Sequence, residues 1–338
     1  MESEIGSGGG GAVYKAWHKR MQKYVVVKEY KYGPKSGAGA RRNELEALKN
    51  VKCEYLPQVF DYIAAGKRSY TVMEYIEGES FDKLLRRGKK ATQSQVFKWY
   101  DQLASALKSL HRQDVCHRDI KPANIMLTPN GDVCLIDFNT ALVGGENMFF
   151  TSRSLGYASP EQYELYERLK SAGSKTVGSK TVGSGRSCHG KYRCYGAETQ
   201  ILEGYSITDF VHSDTPPAYR TAEGAGVLTF LLGDAPAFYN IDWKLSDIYS
   251  LGATMYHLLT GRQPPKEPAE GVSISDHGSF DEGLTYIIEK SMQLRPSDRF
   301  ASAAVLTDMI RQVEEHNALY SAVRAIITVG KECAPALQ

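Results

Sequence analysis

Residues His117 to Asn124 read His-Arg-Asp-Ile-Lys-Pro-Ala-Asn, and no other stretch of the chain restricts the possible folds as much. One short loop carries a carboxylate (Asp119), a cation (Lys121) and an amide (Asn124), a set suited to moving a phosphoryl group. A carboxylate takes the proton of an attacking hydroxyl, an ammonium neutralises charge on the transferring group, and an amide oxygen holds a hard divalent cation. Such a loop needs a rigid approach and a second oxygen ligand, and the flanking sequence supplies both. Before it, Val96, Tyr100, Leu103, Leu107, Leu110 and His111 share one broad face of a helix from about Ser94 to Arg112. After it, Ile125-Met126-Leu127 and Val133-Cys134-Leu135-Ile136 flank Thr-Pro-Asn-Gly-Asp, a strong hairpin signal. Closing that hairpin returns Asp137 to the side of Asn124, so that two oxygen ligands share a metal ion.

The N-terminal part reads as strands with one helix. Ile5-Gly6-Ser7-Gly8-Gly9-Gly10-Gly11-Ala12-Val13 lets backbone amides approach an anion, although a glycine run reads equally as a flexible linker. Tyr24 to Tyr30 is β-branched and aromatic, hence a strand, and Lys28 within it needs an anionic partner because an isolated buried ammonium is costly. The helix over Arg41 to Leu48 offers Glu44 and, on nearly the opposite side, Glu46. Ser69 to Tyr75 is a further strand, and Met255 to Thr260 a helix stopped by Gly261.

In content and order these motifs resemble the catalytic domain of Hanks-type, bacterial and eukaryotic-like serine/threonine protein kinases, from about Ile5 to about Val313. The lysine two positions after Asp119 is similar to the serine/threonine-specific form. The resemblance implies a bilobal α+β fold: an antiparallel-sheet N-lobe over 1–76, a mainly helical C-lobe over 77–313, and a tail over 314–338. It implies ATP with magnesium, or manganese, in the cleft between the lobes. Asp119 is then the base, Lys121 stabilises the transferring group, Asn124 and Asp137 hold the metal, and Lys28 positions phosphates under the control of Glu44 rather than Glu46. Ile5, Gly6, Gly8, Gly11 and Val13 of the glycine-rich loop enclose the nucleotide together with Val26, Met126, the gatekeeper Met73 and the hinge from Glu74 to Ile76. Ser154 bonds Asp119 and Lys121, Asp247 holds the catalytic-loop backbone, and Glu161 of Ser-Pro-Glu pairs with Arg299. Thr151 and Ser152 are candidates for regulatory phosphorylation, read by Arg118. The implied partners are a protein presenting serine or threonine and a second copy for autophosphorylation in trans.

The sequence departs from this pattern in places. Gly9-Gly10 leaves the loop tip without an aromatic residue, so a floppier lid is expected. Asn139 stands where the family has glycine after Asp137-Phe138; asparagine is the residue after glycine most tolerant of a left-handed backbone, so the turn is expected to survive, with the flip between active and inactive forms affected more than the metal ligand. The connection from Glu161 to Asp247 far exceeds the roughly 15 residues usual for a structureless connection, so about 164–241 reads as an insertion. It begins with a repeat, Ser174-Lys-Thr-Val-Gly then Ser179-Lys-Thr-Val-Gly, of linker composition, and turns apolar later. Cys188, His189, Cys194 and His212 within it are candidate zinc ligands without a finger-like spacing.

Composition narrows the classes. A formal net charge of +2 over 338 residues gives no basic surface for nucleic acid, and no apolar run is long enough to span a bilayer. Cys116 and Cys134 lie in apolar runs and read as buried thiols of a reducing compartment, so a cytoplasmic protein is expected. A pseudokinase-type ATP-binding scaffold and a small-molecule phosphotransferase are the alternative functions.

Overall fold

A computed structural model describes residues 2–8, 11–30, 47–65, 68–144, 154–176, 241–268 and 272–333. The first unit is a five-stranded antiparallel sheet, built from β1 (Ser3–Gly8), β2 (Gly11–His18), β3 (Lys23–Tyr30), β4 (Val59–Ala65) and β5 (Arg68–Glu74), in the order β1-β2-β3-β5-β4. Alternation of side chains gives β3 two apolar sides. Val25 packs with Ala16 and Val72 on one side, while Val26 lies opposite Met73 and joins the main core. Gly11 has φ of 152°, and a Cβ there would lie 1.9 Å from the Glu29 carbonyl oxygen, so glycine is required where β2 meets β3.

A short connector then leads to β6 (Glu79–Ser80) and helix α1 (Phe81–Arg86), whose first turn is capped by the Ser80 hydroxyl. Helix α2 (Gln93–His111) starts at a capping box formed by Thr92 and Gln95 and is buried along Val96, Tyr100, Leu103, Leu107 and Leu110. Its last turn delivers β7 (Val115–Cys116) and the loop beginning at His117. The expected hairpin is present as β8 (Ile125–Leu127) and β9 (Val133–Leu135), joined to β6 in a three-stranded sheet, while β10 (Leu142–Val143) pairs with β7.

Helix α3 (Pro160–Thr176) follows, then α4 (Trp243–Thr260), α5 (Glu282–Ser291) and α6 (Ala303–Cys333). The position near 164, where an insertion was expected to start, falls inside α3, where Leu165 and Tyr166 are buried. The remainder of that segment, including Cys188, His189, Cys194 and His212, lies outside the described residues. Helix α4 is buried along nearly its whole length. It is capped by the Asp242 carboxylate at its start and by Gly261 in a left-handed conformation at its end. Gly252 lets α4 approach α5 closely, since a Cβ there would lie 2.7 Å from Ser291 Cβ.

Candidate active site

The loop from His117 to Asn124 is fixed from beneath by one carboxylate. Asp247, fully buried on α4, accepts the backbone N–H groups of His117 and Arg118, both at 2.8 Å, and lies 3.0 Å from His111 Nε2. Two donated amides and a ring nitrogen satisfy a charge that burial would otherwise penalise heavily. The His117 ring accepts the Asp119 N–H at Nδ1 (3.3 Å) and lies 3.1 Å from the Ile136 carbonyl oxygen at Nε2, so its proton is on Nε2. Arg118 has a left-handed backbone (φ 65°), and its Nε donates to the Thr140 carbonyl. Burial lowers the Arg118 pKa to about 10, against the opposing pull of Asp247, so it stays cationic at neutral pH.

Around Asp119 the side chains close into a compact set. Lys121 Nζ donates to Asp119 Oδ2 at 2.8 Å and to Ser154 Oγ at 3.1 Å, and the Ser154 hydroxyl donates to Asp119 Oδ1 at 2.6 Å. Asn124 Nδ2 donates to the Asp119 carbonyl at 2.8 Å and to its Oδ2 at 3.1 Å. With Nδ2 turned inward, Oδ1 is the Asn124 atom left for a ligand. Burial works against the Lys121 charge, but Asp119 outweighs it and lifts the lysine above its ordinary range.

The β8–β9 hairpin brings the second carboxylate alongside, because Ile136 N–H donates to the Asn124 carbonyl at 2.8 Å. Asp137 follows at once, with Lys28 Nζ of β3 at 3.3 Å from its Oδ1. Burial pushes the Asp137 carboxyl up, yet Lys28, with Lys121 behind it, holds it below the usual carboxylate range. The donor set of Asn124 Oδ1 and the Asp137 carboxylate is all hard oxygen, which fits a magnesium-type ion.

The turn at Asn139 survives as expected, but without a left-handed conformation at Asn139 itself. The left-handed residue of this turn is Asp137 itself, with φ of 69°, and the chain then reverses through a bond from Ala141 N–H to the Phe138 carbonyl. Asparagine at 139 is therefore an exposed turn residue without a special backbone demand. Of the other positions read from sequence, Val13 lies opposite Gly6 and Lys28, and Val26 lies opposite Met73, which is buried. Ile5 is half exposed, while Glu74, Ile76 and Met126 are half-buried. Gly6 and Gly8 lie on β1, and Gly8 pairs with Gly11. Glu44, Glu46, Thr151 and Ser152 lie outside the described residues.

Farther from the loop, Arg299 makes a two-pronged bond to Glu161, at 2.7 and 2.8 Å, at the start of α3. Its remaining N–H groups reach the carbonyls of Gln293, Leu245 and Leu294, so a fully buried guanidinium has all five donors used. Sequence reasoning missed one contact. The Tyr157 hydroxyl, three residues after Ser154, lies 2.7 Å from His257 Nδ1 on α4. Nothing in the local pattern of either residue signals that pairing.

A family model described as the protein kinase domain matches residues 1–175. The chain belongs to the protein kinase domain family. A probable serine/threonine-protein kinase of Clostridium acetobutylicum is 32% identical over 169 residues, 48% of this chain and 26% of that protein. A probable serine/threonine-protein kinase of Streptomyces coelicolor is 34% identical over 172 residues, 47% of this chain and 25% of that protein. The human serine/threonine-protein kinase Nek5 is 32% identical over 165 residues, 46% of this chain and 23% of that protein. The chain thus matches these relatives over only about a quarter of their length. The family model stops at 175, whereas Asp247 and Arg299, which hold this kinase domain's catalytic loop and the start of α3, come later in the chain.

Proposed function

We propose that this kinase domain transfers the γ-phosphoryl group of ATP to serine or threonine hydroxyls of proteins, its own segment around Thr151 and Ser152 among them. The observation that carries the reading is the Asp119–Lys121–Ser154–Asn124 set, with Lys28 and Asp137 beside it. In that set Asp119 is bonded to a lysine and a hydroxyl that orient it, and a carboxylate has lone pairs to spare for the proton of an incoming hydroxyl. Lys121, kept cationic, faces the charge that develops on the phosphoryl group, and Lys28 neutralises the phosphates on the other side. A magnesium ion held by Asn124 and Asp137 would supply charge neutralisation at the phosphates. A Ser154 hydroxyl already on Asp119 ties the segment before α3 to the base, so that catalysis depends on how that segment sits.

The test is mass spectrometry of the purified protein and of added myelin basic protein after incubation with MgATP, beside Asp119→Ala. Losing a positioned base costs about 10² to 10⁴ in rate, so phosphate should accumulate only in the wild type. Wild-type protein that binds MgATP yet leaves both itself and the added protein unmodified would overturn the reading.

A further inference from the structure

The register of β2 against β3 places Lys15 opposite Val26 and Trp17 opposite Tyr24, on the side of the sheet that carries Val13 and Lys28. That side faces the cleft, since Lys28 reaches Asp137 from it. Lys15 Nζ lies 4.0 Å from the centre of the Tyr24 ring and 4.3 Å from the centre of the Tyr75 ring, between two aromatic faces. The rings brace one another: Tyr24 and Tyr75 are 6.1 Å apart at 61°, and Trp17 meets Tyr24 edge-on at 5.0 Å and 74°. Tyr75 belongs to neither sheet, because β5 ends at Glu74 and β6 begins at Glu79. It stands on the connector between the lobes, just before Ile76. Glu74, one residue earlier, is held by Gln58 on both sides, through its N–H at 2.8 Å and its Oε2 at 3.1 Å.

We propose that Lys15 is a positioning residue for nucleotide binding: caged by Tyr24 and Tyr75, it fastens the connector to the small-lobe sheet, so that the backbone edge facing the base is set before ATP arrives. A cation between two rings is held by both quadrupoles, and Tyr75 can leave only by breaking one contact and exposing the ammonium's other face. Without the cage the connector samples other positions, and the apparent affinity for ATP falls by the fraction of time it is misplaced. The chemical step is untouched, since Lys15 contacts none of the groups around Asp119. This inference rests on the reading that ATP binds in the cleft.

Lys15→Met keeps the stem and removes the charge, Lys15→Arg keeps a cation that stacks on rings, and Tyr75→Leu removes one ring while keeping bulk. The expected result is a KM for ATP raised about three- to tenfold in Lys15→Met and Tyr75→Leu, with kcat within about twofold of wild type and Lys15→Arg near wild type. Hydrogen–deuterium exchange without nucleotide should show faster exchange of the amides at 74–77 in Lys15→Met and Tyr75→Leu only. Unchanged KM and unchanged exchange in both variants would overturn the inference while leaving the kinase reading intact, as would a fall in kcat with KM unchanged. Wild-type protein that fails to bind ATP would instead overturn the kinase reading, and the positioning role with it, whatever the exchange shows.

Discussion

Individual residues differ in how openly their roles are written. Asp119, Lys121, Asn124 and Ser154 can be named from the sequence because their chemistry sits within short motifs, and the structure brings all four together. Lys28 and Asp137 are legible for the same reason, although their contact joins residues far apart in the chain. Asn139 was read through a family position, and the turn expected to survive there does, with the positive φ on Asp137 instead. Which residue of a three-residue turn takes the positive φ depends on the bonds on either side, here Ile136 to Asn124 and Ala141 to Phe138, and not on the residue that the motif replaces. A consequence can be measured. Asn139→Gly should leave kcat and KM within about twofold and lower stability by roughly 0.5–1 kcal/mol, because glycine adds freedom to the unfolded chain without relieving strain in the folded one. A rate gain of tenfold would mean that asparagine does restrain the turn.

At the scale of elements, the periodic helices and the hairpin were visible because their burial pattern is local. The extent of α3 was not, since a linker-like composition begins within the same residues that complete its last turns. Contacts between elements were visible only where a motif announced them, so the meeting of Tyr157 with α4 went unread. That contact has a pH signature. Burial lowers the His257 pKa from 6.5 to about 4, Asp82 opposing weakly, so the folded protein keeps the ring neutral and accepting the Tyr157 O–H. Between pH 6.5 and 4 the unfolded chain takes up a proton that the folded one refuses. The stability from this neutral ring is therefore complete above pH 6.5 and is lost as pH falls toward 4. Glutamine accepts the same bond and does not titrate. Melting curves should show Tm falling more steeply over this window for wild type than for His257→Gln, and parallel slopes would count against the neutral pairing.

Across the whole molecule, distant segments are held by a few buried charges, and these were foreseeable in pairs although not in their full sets of partners. Glu161 and Arg299 were matched by motif, whereas the three carbonyls that complete the guanidinium, Leu245 in the first turn of α4 and Gln293 and Leu294 after α5, have no signature. Arg299→Lys should lose about 3–5 kcal/mol, because an ammonium cannot span both carboxylate oxygens and three carbonyls at once. Urea unfolding would measure this, and a loss under 1 kcal/mol would show that the network relaxes around the smaller cation.

The position of Asp247 also sets when the loop's amides can be answered during synthesis. His117 and Arg118 leave the ribosome with their amides unanswered, and the carboxylate that answers them is encoded 130 residues after His117. At bacterial and eukaryotic elongation rates of about 5–20 residues per second, that is a delay of roughly 7–26 s. Throughout it the loop from His117 to Asn124 has no floor, so a nascent chain still tethered to its ribosome carries Asp119, Lys121 and Asn124 without the carboxylate that fixes the backbone before them.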